Sequence, residues 1–392
     1  MQHPPPIMAS EPNSFAHYTV TQRLPAIAQR VIAENQFSPD REAQLLKLIE
    51  DLPEGKITSI QNNSAPDQAA WDEYLVPYLG KCWLDIPWYF AEAYFYRRIL
   101  AATDYFQTHI DPYALQKRLG LENAIATIQT LSEQINAIQG VWDRESFTAL
   151  MYFALWGNRI DLSLHPAEAG TQFHLETTHD QRANLLADDT QQVANWLDQH
   201  RGRVDFIVDN AGLELFCDLC LADYLLTTQA ASEVYLHVKD HPIFVSDAMG
   251  KDVYSTIETL AESSNAAVRS FGDRLCYHLN TGHLQLHTHD FWTAPLVFWH
   301  MPETVREVLK SAHLVLIKGD ANYRRLLGDY HWDFTTPFAE IVSYFPAPLA
   351  ALRTMKAELA CGLQPSQVTA LNAADLNWLT NGQRGVIQFA NP

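Results

Sequence analysis

The stretch from Val204 to Glu214 reads VDFIVDNAGLE, and its pattern decides which fold class we expect. Its first five residues are almost entirely apolar and include two valines and an isoleucine, which is typical of a strand buried on both faces. Asp209 and Asn210 end the apolar run, and the residues from Gly212 to Thr227 then follow a helical pattern. A buried strand that leads directly into a helix predicts a parallel sheet covered by helices.

The same pattern recurs further along the chain. Val234 to Val238 predicts a second strand, and a helix over Pro302 to Ala312 leads into a third at Leu314 to Ile317. Val386 to Phe389 is a possible closing edge strand. We therefore expect an α/β fold, a three-layer α/β/α sandwich with a mostly parallel sheet.

The first half of the chain has helical periodicity instead. The segment from Trp83 to Thr103 is apolar nearly all round, which is typical of a buried helix. We expect an N-terminal all-helical domain over residues 1–200 and the α/β/α domain over residues 201–392. The other predicted helices of the first half are Arg41–Leu52, Ile125–Ile138, Phe147–Trp156 and Asp188–His200.

The composition excludes several kinds of partner. The 392 residues include 27 Lys and Arg against 46 Asp and Glu, a formal charge of -19. This charge disfavours nucleic acid and membrane surfaces, and an anionic substrate would need local cations or a bound metal. No signal peptide is recognisable over Met1 to Phe15, and no apolar stretch reaches the roughly 18 residues of a membrane helix. Five cysteines, an odd number spread through a large chain, argue against a disulfide framework and favour the cytoplasm.

The candidate site residues follow the predicted strands. Asp209 and Asn210 end the first strand, Asp247 ends the apolar stretch after the second, and Glu214 lies one helical turn beyond Asn210. Ligands of open α/β sheets bind at the carboxyl ends of the strands, where carboxylate and amide oxygens suit Mg²⁺ or Mn²⁺. The alternative for the first motif is a turn in which Asn210 caps the following helix.

Cations and hydrogen-bond donors follow the third strand. Lys318 ends it, Gly319 permits close approach of the backbone, and Asp320 begins the next segment. Asn322, Tyr323 and Arg324 add groups suited to a sugar or a phosphate. Arg353 and Lys356 lie on a segment that we expect to open a helix over Leu352 to Gly362. The alternative for this region is a solvated basic patch.

These motifs together resemble the metal-dependent damage-control phosphatases. The resemblance is to the branch with an Arg-Thr-x-Lys motif, which includes sugar-phosphate phosphatases and proteins described as acidic-residue methyltransferases. It covers the chain from about residue 18 to its end. The motifs that carry it are Asp209-Asn210-x-Gly-x-Glu214, Phe-Val-Ser-Asp247, Lys318-Gly-Asp320-x-Asn322-Tyr323-Arg324, Arg353-Thr354-x-Lys356 and, in the helical half, Trp156-Gly157-Asn158-Arg159-Ile160-Asp161.

The resemblance implies a role for each of these residues. It implies that Asp209, Asn210 and Asp247 are the metal ligands and that Glu214 lies close to the metal. It also implies the α/β/α sandwich and the helical domain that the pattern predicts. The implied substrate contacts are Asp320, Asn322, Tyr323, Arg324 and Lys356, to which we add Lys318, Arg353, Asn158 and Asp161.

We hypothesise hydrolysis of the phosphomonoester of a small sugar, such as a fructose phosphate, in metabolite damage control. A divalent ion, Mn²⁺ or Mg²⁺ with Co²⁺ or Ni²⁺ as further options, would polarise the phosphoryl oxygen and lower the pKa of a bound water. Lys318 and Lys356 would neutralise charge in the transition state. Asp320 or Glu214 would orient the water or the sugar hydroxyls, and the sequence does not choose between them.

Two other classes of function stay open. Carboxyl methyl transfer from S-adenosylmethionine is disfavoured because no strand leads into a Gly-x-Gly-x-Gly loop and because the candidate site is rich in metal ligands. A non-enzymatic interaction protein is the third possibility. Cys217 and Cys220 lie in an apolar helix, where a packed core position is favoured over a metal site. The cluster of His283, His287 and His289 is favoured as a surface loop or an edge hairpin.

Overall fold

A computed structural model describes residues 3–61, 65–157 and 182–392 of the chain. Its centre is a seven-stranded sheet in the order β1-β7-β6-β5-β2-β3-β4. All neighbouring strands are parallel except β6 and β7. The predicted α/β fold with a mostly parallel sheet is therefore confirmed. The strands are β1 Leu185–Asp188, β2 Gly202–Ile207, β3 Ala231–Val238, β4 Leu284–Thr288, β5 Leu314–Lys318, β6 Leu349–Thr354 and β7 Gly385–Ala390.

Helices cover both faces of the sheet and form the N-terminal region. Those before the sheet are α1 Phe15–Tyr18, α2 Leu24–Glu34, α3 Pro39–Asp51, α4 Gln68–Leu75, α5 Trp88–Ala102, α6 Tyr105–Thr108, α7 Ala114–Asn123, α8 Ile125–Ala137 and α9 Arg144–Trp156. Those between or after strands are α10 Thr190–Gln199, α11 Leu213–Thr227, α12 Gly250–Ala261, α13 Ala266–Asn280, α14 Glu303–Lys310, α15 Asp320–Leu327, α16 Phe338–Ile341 and α17 Pro365–Ala374.

The alternation of side chains along each strand divides the interior into two hydrophobic cores. On β5, Leu314 and Leu316 point into a core with α8 to α13, whereas Val315 and Ile317 point into a core with α2 to α5 and α14 to α17. This arrangement makes three layers, with the sheet between two layers of helices. Both cores contain residues from before and after the predicted domain boundary at 200/201, and that boundary stays a prediction.

The structure corrects three expectations about strands. The prediction that the segment from Leu352 opens a helix is wrong. Leu349–Thr354 is β6, which is held between β5 and β7 by pairing with residues distant in the chain. β7 is not an edge strand, because β1, which the sequence pattern did not predict, pairs with its outer side. Leu284–Thr288, within the histidine cluster, is a parallel edge strand and not a loop or hairpin.

Other expectations about the helices are confirmed, apart from the start of one helix. The helix predicted from Trp83 begins at Trp88 instead, because Ile86, which precedes Pro87, is extended and ends a short 3-10 turn over Trp83–Asp85. It is buried nearly all round, as are Cys217 and Cys220 in α11, and all five cysteines are free thiols. In the described ranges, no helix is long and apolar enough to cross a membrane.

The order of the strands creates a crevice at one end of the sheet. From β2 the chain passes to β3 on one side, whereas β5 lies on the other side of β2. The connections therefore leave β2 and β5 in opposite directions, and this reversal opens a crevice at the carboxyl ends of the strands. Asp209 and Asn210 follow β2 here, and Gly319 and Asp320 follow β5.

Candidate active site

Asp209 lies against the backbone of Gly319, at the crevice between β2 and β5. Gly319 has a φ of +85°, a left-handed conformation that favours glycine. A Cβ atom on residue 319 would lie 1.9 Å from Oδ2 of Asp209, so a larger residue does not fit unless the carboxyl group moves. Glycine at this position therefore lets the polar groups of two adjacent strand ends share one site.

The segment after β3 returns to the end of β2 and brings a second carboxyl group. Asn210 lies opposite Asp247 in an antiparallel bridge, and the flanking backbone hydrogen bonds are 2.7 and 2.8 Å long. Both carboxyl groups, those of Asp209 and Asp247, are buried. The three predicted metal ligands thus come together although Asn210 and Asp247 are 37 positions apart in the sequence.

The side-chain amide of Asn210 connects the carboxyl groups of the first strand end. Its Nδ2 atom donates to Oδ2 of Asp209 at 2.8 Å and to Oε2 of Glu214 at 2.9 Å. Glu214 lies in the first turn of α11, where the four-residue spacing from Asn210 brings it over the same face. Asp209, Asn210 and Glu214 therefore form a continuous hydrogen-bonded group.

Lys239, directly after β3, links this group to the end of β5. Its Nζ atom lies 3.3 Å from Oδ2 of Asp247 and donates to Oδ1 of Asn322 at 3.2 Å. The Asn322 amide in turn donates to the backbone carbonyls of Val208 and Lys318, at 3.2 and 2.9 Å. Asn322 is fully buried, so its side chain holds three strand ends together from inside the protein.

Lys318 is held in the interior by three acceptors. Its Nζ atom donates to the carbonyl of Ala154 at 2.5 Å and forms ion pairs with Asp218 at 2.7 Å and with Glu214 at 3.5 Å. The lysine is 1% exposed. Its ammonium group is therefore a buried countercharge for two carboxyl groups of α11.

These residues form one buried network, which we call the switch-point cluster. Its four carboxyl groups outnumber its two ammonium groups. Burial raises the pKa of Asp209 well above its usual range, and Glu214 and Asp247 raise it further, against the opposing effect of Lys239 and Lys356. Burial also raises the pKa of Asp247 to about 6, although Lys239 opposes this. The members of the cluster are Asp209, Asn210, Glu214, Asp218, Lys239, Asp247 and Lys318.

The oxygen atoms of the switch-point cluster suit a hard divalent cation as ligands. Asp209, Asn210 and Asp247 present carboxylate and amide oxygens, and within the described residues the buried Oδ2 of Asp247 is partnered by Lys239 alone, at 3.3 Å. A divalent cation would offset the excess of carboxyl groups. No group of three or more His, Cys, Asp or Glu side chains in residues 3–61, 65–157 and 182–392 is placed to hold a metal ion. The candidate set therefore depends on the amide oxygen of Asn210.

A second cluster of polar residues lies at the ends of β5 and β6. Nε of Arg353 donates to Oδ1 of Asp320 at 2.7 Å, and the backbone N–H of Lys356 donates to the same oxygen at 3.3 Å. The remaining Arg353 nitrogens donate to the carbonyls of Ala357 and Leu359, so this buried side chain supports Asp320 from within. Lys356 is exposed, and its charge acts on Asp209.

Tyr323 and Arg324 make their polar contacts away from the switch-point cluster. The Tyr323 hydroxyl donates to Oε1 of Gln388 at 2.6 Å. Arg324 pairs with Asp329 and Glu92, at 2.7 and 2.5 Å. Both side chains are buried, and these contacts join α15 to its neighbours. The predicted residues Asn158 and Asp161 lie outside the described residues.

A cleft of about 580 Å³ borders Asn210 and Ser246. It lies between α7 and α8 of the helical half and the turn that connects β2 to α11. This volume is within the range of small-molecule sites. The polar residues of its lining are Arg30, Gln116, Lys117, Asn123, Thr127, Asn210 and Ser246.

Three residues of this region were not among the predicted site residues: Asp218, Lys239 and Ser246. Lys239 directly follows a strand, so the rule that selected Asp209 would also have selected it. Asp218 lies one turn beyond Glu214 in an otherwise apolar helix, where a charged residue signals a buried partner. Ser246 had no signal beyond its place beside Asp247.

The chain is similar to characterised proteins over nearly its whole length. A sequence profile of the damage-control phosphatase ARMT1-like domain matches residues 19–371. "Damage-control phosphatase ARMT1" of Mus musculus is 32% identical over 431 residues, covering 98% of both chains. The proteins of the same name from Danio rerio and Homo sapiens are 32% and 31% identical and cover 100% and 99% of this chain, and 98% and 99% of their own.

A solved structure supports the fold independently. The crystal structure of a DUF89 family protein from Pyrococcus horikoshii aligns with a TM-score of 0.50 over 95% of this chain and 98% of that protein. The two sequences are 14% identical, so this likeness concerns the fold alone.

Proposed function

Because the chain belongs to the damage-control phosphatase ARMT1-like family, we propose that it is a divalent-metal-dependent phosphatase that hydrolyses small sugar phosphomonoesters. The family supports a phosphatase of metabolite repair. The observation that carries the finer proposal is the switch-point cluster. Its buried carboxyl groups exceed its buried ammonium groups, at the crevice where an α/β sheet binds its ligands.

Asp209, Asn210 and Asp247 would hold the cation, with Mn²⁺ or Mg²⁺ as the expected ions. When bound, a divalent ion at this site supplies Lewis acidity for a phosphoryl oxygen and for water. Glu214 holds the Asn210 amide, and Lys239 holds Asp247. These two residues would therefore keep the proposed ligands in place without contacting the substrate.

Lys356 is the residue we propose to bind the phosphate. It is exposed, its charge already acts on Asp209, and no hydrogen bond or ion pair involves its ammonium group among the described residues. A free ammonium group beside a phosphoryl group stabilises the charge that develops on the equatorial oxygens. Lys318 is buried and already paired, so we propose that it acts only as a countercharge.

Asp320 is the residue we propose to orient the attacking water or a sugar hydroxyl. Its side chain is 17% exposed, and Arg353 holds one of its oxygens, whereas the other makes no hydrogen bond to the described residues. Glu214 is more deeply buried and is engaged with Asn210. This difference in exposure favours Asp320 for contact with the substrate.

Phosphate release from a panel of sugar phosphates, with Mg²⁺, Mn²⁺, Co²⁺, Ni²⁺ or EDTA, tests the proposal. We expect hydrolysis only with a divalent ion. Asp209→Asn should lower kcat/KM by more than about 100-fold, because outer-shell partners of metal ligands alone contribute 10–100-fold. Asp223→Asn is the matched control, since Asp223 is equally buried, lies on α11 and pairs with Arg274. Full hydrolysis in EDTA, or wild-type rates for Asp209→Asn, would contradict the proposal.

A further inference from the structure

Ser246 lies beside Asn210, and we propose that it is a positioning residue that orients the amide oxygen of Asn210 toward the metal ion. Its Oγ atom donates to Oδ1 of Asn210 at 2.5 Å. The inference rests on the proposed function, because it assumes that Asn210 is a metal ligand. Ser246 itself would contact neither the metal nor the substrate.

The hydrogen bonds of the Asn210 amide determine which way the group faces. Both protons of Nδ2 are used, one by Asp209 and one by Glu214. When the two carboxyl groups are ionised, as a metal ligand must be, a flipped amide would place its oxygen against two further acceptors, which is unfavourable. The carboxyl groups therefore decide which end of the amide is the oxygen, and they leave Oδ1 on the side of Ser246.

Oδ1 has two lone pairs, and the structure accounts for one of them. Ser246 donates to the first, so one acceptor direction remains for a cation. Three hydrogen bonds then restrain the amide: two at the nitrogen and one at the oxygen. Without the Ser246 hydroxyl, the oxygen end has no donor among the described residues, and the amide is restrained only by the two hydrogen bonds at its nitrogen. A ligand that must first be ordered binds its metal less tightly.

The backbone before Ser246 is held in an unusual conformation that brings this hydroxyl to Asn210. Phe244 and Val245 have φ values of +48° and +68°, in the left-handed region that non-glycine residues rarely adopt. Packing of Phe244 between the rings of Tyr89 and Tyr96, at 5.7 and 5.0 Å, opposes relaxation of this conformation. Such over-determined strain is typical of functional sites.

Calorimetric titration of the metal-free full chain with Mn²⁺ alone tests the inference without an activity readout. We expect Ser246→Ala to raise the Kd for Mn²⁺ by 10–100-fold, the usual cost of losing an outer-shell partner. Ser246→Thr, which keeps the hydroxyl group and projects its methyl group at the border of the cleft, should restore binding to within about threefold. Ser255→Ala removes an exposed serine hydroxyl on α12 and should leave the Kd unchanged.

The outcomes separate this inference from the function on which it rests. A wild-type protein that binds no Mn²⁺ contradicts both. Wild-type binding that is lost in Asp209→Asn but kept within twofold in Ser246→Ala contradicts only the role of Ser246. If Ser246→Ala does not fold, Ser246→Cys provides the same test, because the weaker S–H donor should still raise the Kd several-fold. An unchanged Kd for folded Ser246→Cys in that case overturns the inference.

Discussion

Two buried charge clusters of this protein differ in how completely their charges are paired. The first is the switch-point cluster, where four carboxyl groups face two ammonium groups. The second, which we call the Arg324 cluster, consists of Arg324, Asp329 and Glu92. In it, three guanidinium nitrogens each donate to a carboxylate oxygen, and the guanidinium lies 3.5 Å from the centre of the Trp88 ring.

The difference teaches how a structural cluster and a binding site can be told apart. Each carboxylate of the Arg324 cluster receives at least one charge-assisted hydrogen bond, and Asp329 also accepts from the backbone N–H of Tyr89 at 3.0 Å. In the switch-point cluster, Oδ2 of Asp247 and Oδ1 of Asp218 lie 3.3 and 2.7 Å from lysine ammonium groups, and Oδ2 of Asp218 has no hydrogen-bond donor within the described residues. Buried polar groups are normally satisfied. Both clusters have two carboxyl groups for each cationic side chain, so they differ in how completely the carboxylate oxygens are hydrogen-bonded and not in the ratio of charges. The less completely hydrogen-bonded cluster is the one for which we propose a divalent cation.

The largest expected effect comes from breaking the Arg324 cluster. Arg324→Leu leaves Glu92 and Asp329 buried without their cation, and this should lower the free energy of unfolding by about 3–5 kcal/mol. Activity per folded molecule should stay near the wild-type level, because Arg324 makes no contact with the switch-point cluster. Urea unfolding measures the change in stability, and the rate of phosphate release divided by the concentration of folded protein measures the activity.

Arg118→Leu is the control for this comparison. Arg118 forms an exposed ion pair with Glu122 at 3.6 Å, so its loss should change stability by less than about 0.5 kcal/mol. A stable Arg324→Leu protein that has lost catalysis would instead assign Arg324 to the substrate site.

A smaller effect is expected from forcing apart the two strand ends of the switch-point cluster. Gly319→Ala places a Cβ atom 1.9 Å from Oδ2 of Asp209, so the carboxyl group must move. We expect kcat/KM to fall about 100-fold, which corresponds to ~2.7 kcal/mol. The positive φ should also reduce stability by about 1–2 kcal/mol.

Gly80→Ala isolates the cost of the backbone conformation from that of the clash. Gly80 has a φ of +80°, and a Cβ atom there would meet nothing within 4 Å. This variant should lose similar stability and keep its activity. Equal loss of activity in both variants would show that the contact between Asp209 and Gly319 is unimportant.

The smallest expected effect concerns the pH dependence of the carboxyl groups in the switch-point cluster. Burial raises the pKa of Asp218 to about 7, with a further contribution from Glu214 and an opposing one from Lys318. Between about pH 4, where the unfolded residue titrates, and pH 7, the folded metal-free protein holds a proton that the unfolded chain has released. Wild-type stability should therefore fall as the pH rises through this window, relative to Asp218→Asn.

Denaturant unfolding in EDTA at pH 5 and pH 8 measures this difference. The free energy of unfolding of Asp218→Asn minus that of the wild type should be about 1–3 kcal/mol larger at pH 8 than at pH 5. If this difference in free energy is the same at both pH values, Lys318 keeps Asp218 ionised throughout. The metal-free switch-point cluster would then carry one more negative charge than it does with Asp218 protonated.

Local patterns in the sequence were sufficient to predict the strands that carry the candidate site. The apolar run of β2 and the polar residues after it led to Asp209 and Asn210, and the same rule led to Asp247. The rule succeeds because parallel strands of one sheet all end at the same edge. It did not extend to β6, since the run from Leu349 to Thr354 becomes a strand only through pairing with β5 and β7.

The roles of the residues in α15 could not be read from their adjacency in the motif. Asn322, Tyr323 and Arg324 are consecutive, and each helical residue is rotated by about 100° from the previous one. Asn322 therefore points to the strand ends, Tyr323 toward Gln388 and Arg324 toward α5. A motif that looks like one binding group is divided among three environments.

The sequence by itself determined the fold class, the edge of the sheet where the candidate site lies and the acidic residues that meet there, because these depend on short-range periodicity and on where apolar runs end. Only the tertiary structure decided which charges are paired, since pairing joins residues far apart in the chain. Lys318 meets Asp218 inside the protein, Arg324 meets Glu92, and Lys356 stays exposed, where its charge lowers the pKa of Asp209. The strand order places these groups, and their burial determines which of them remain available to a ligand.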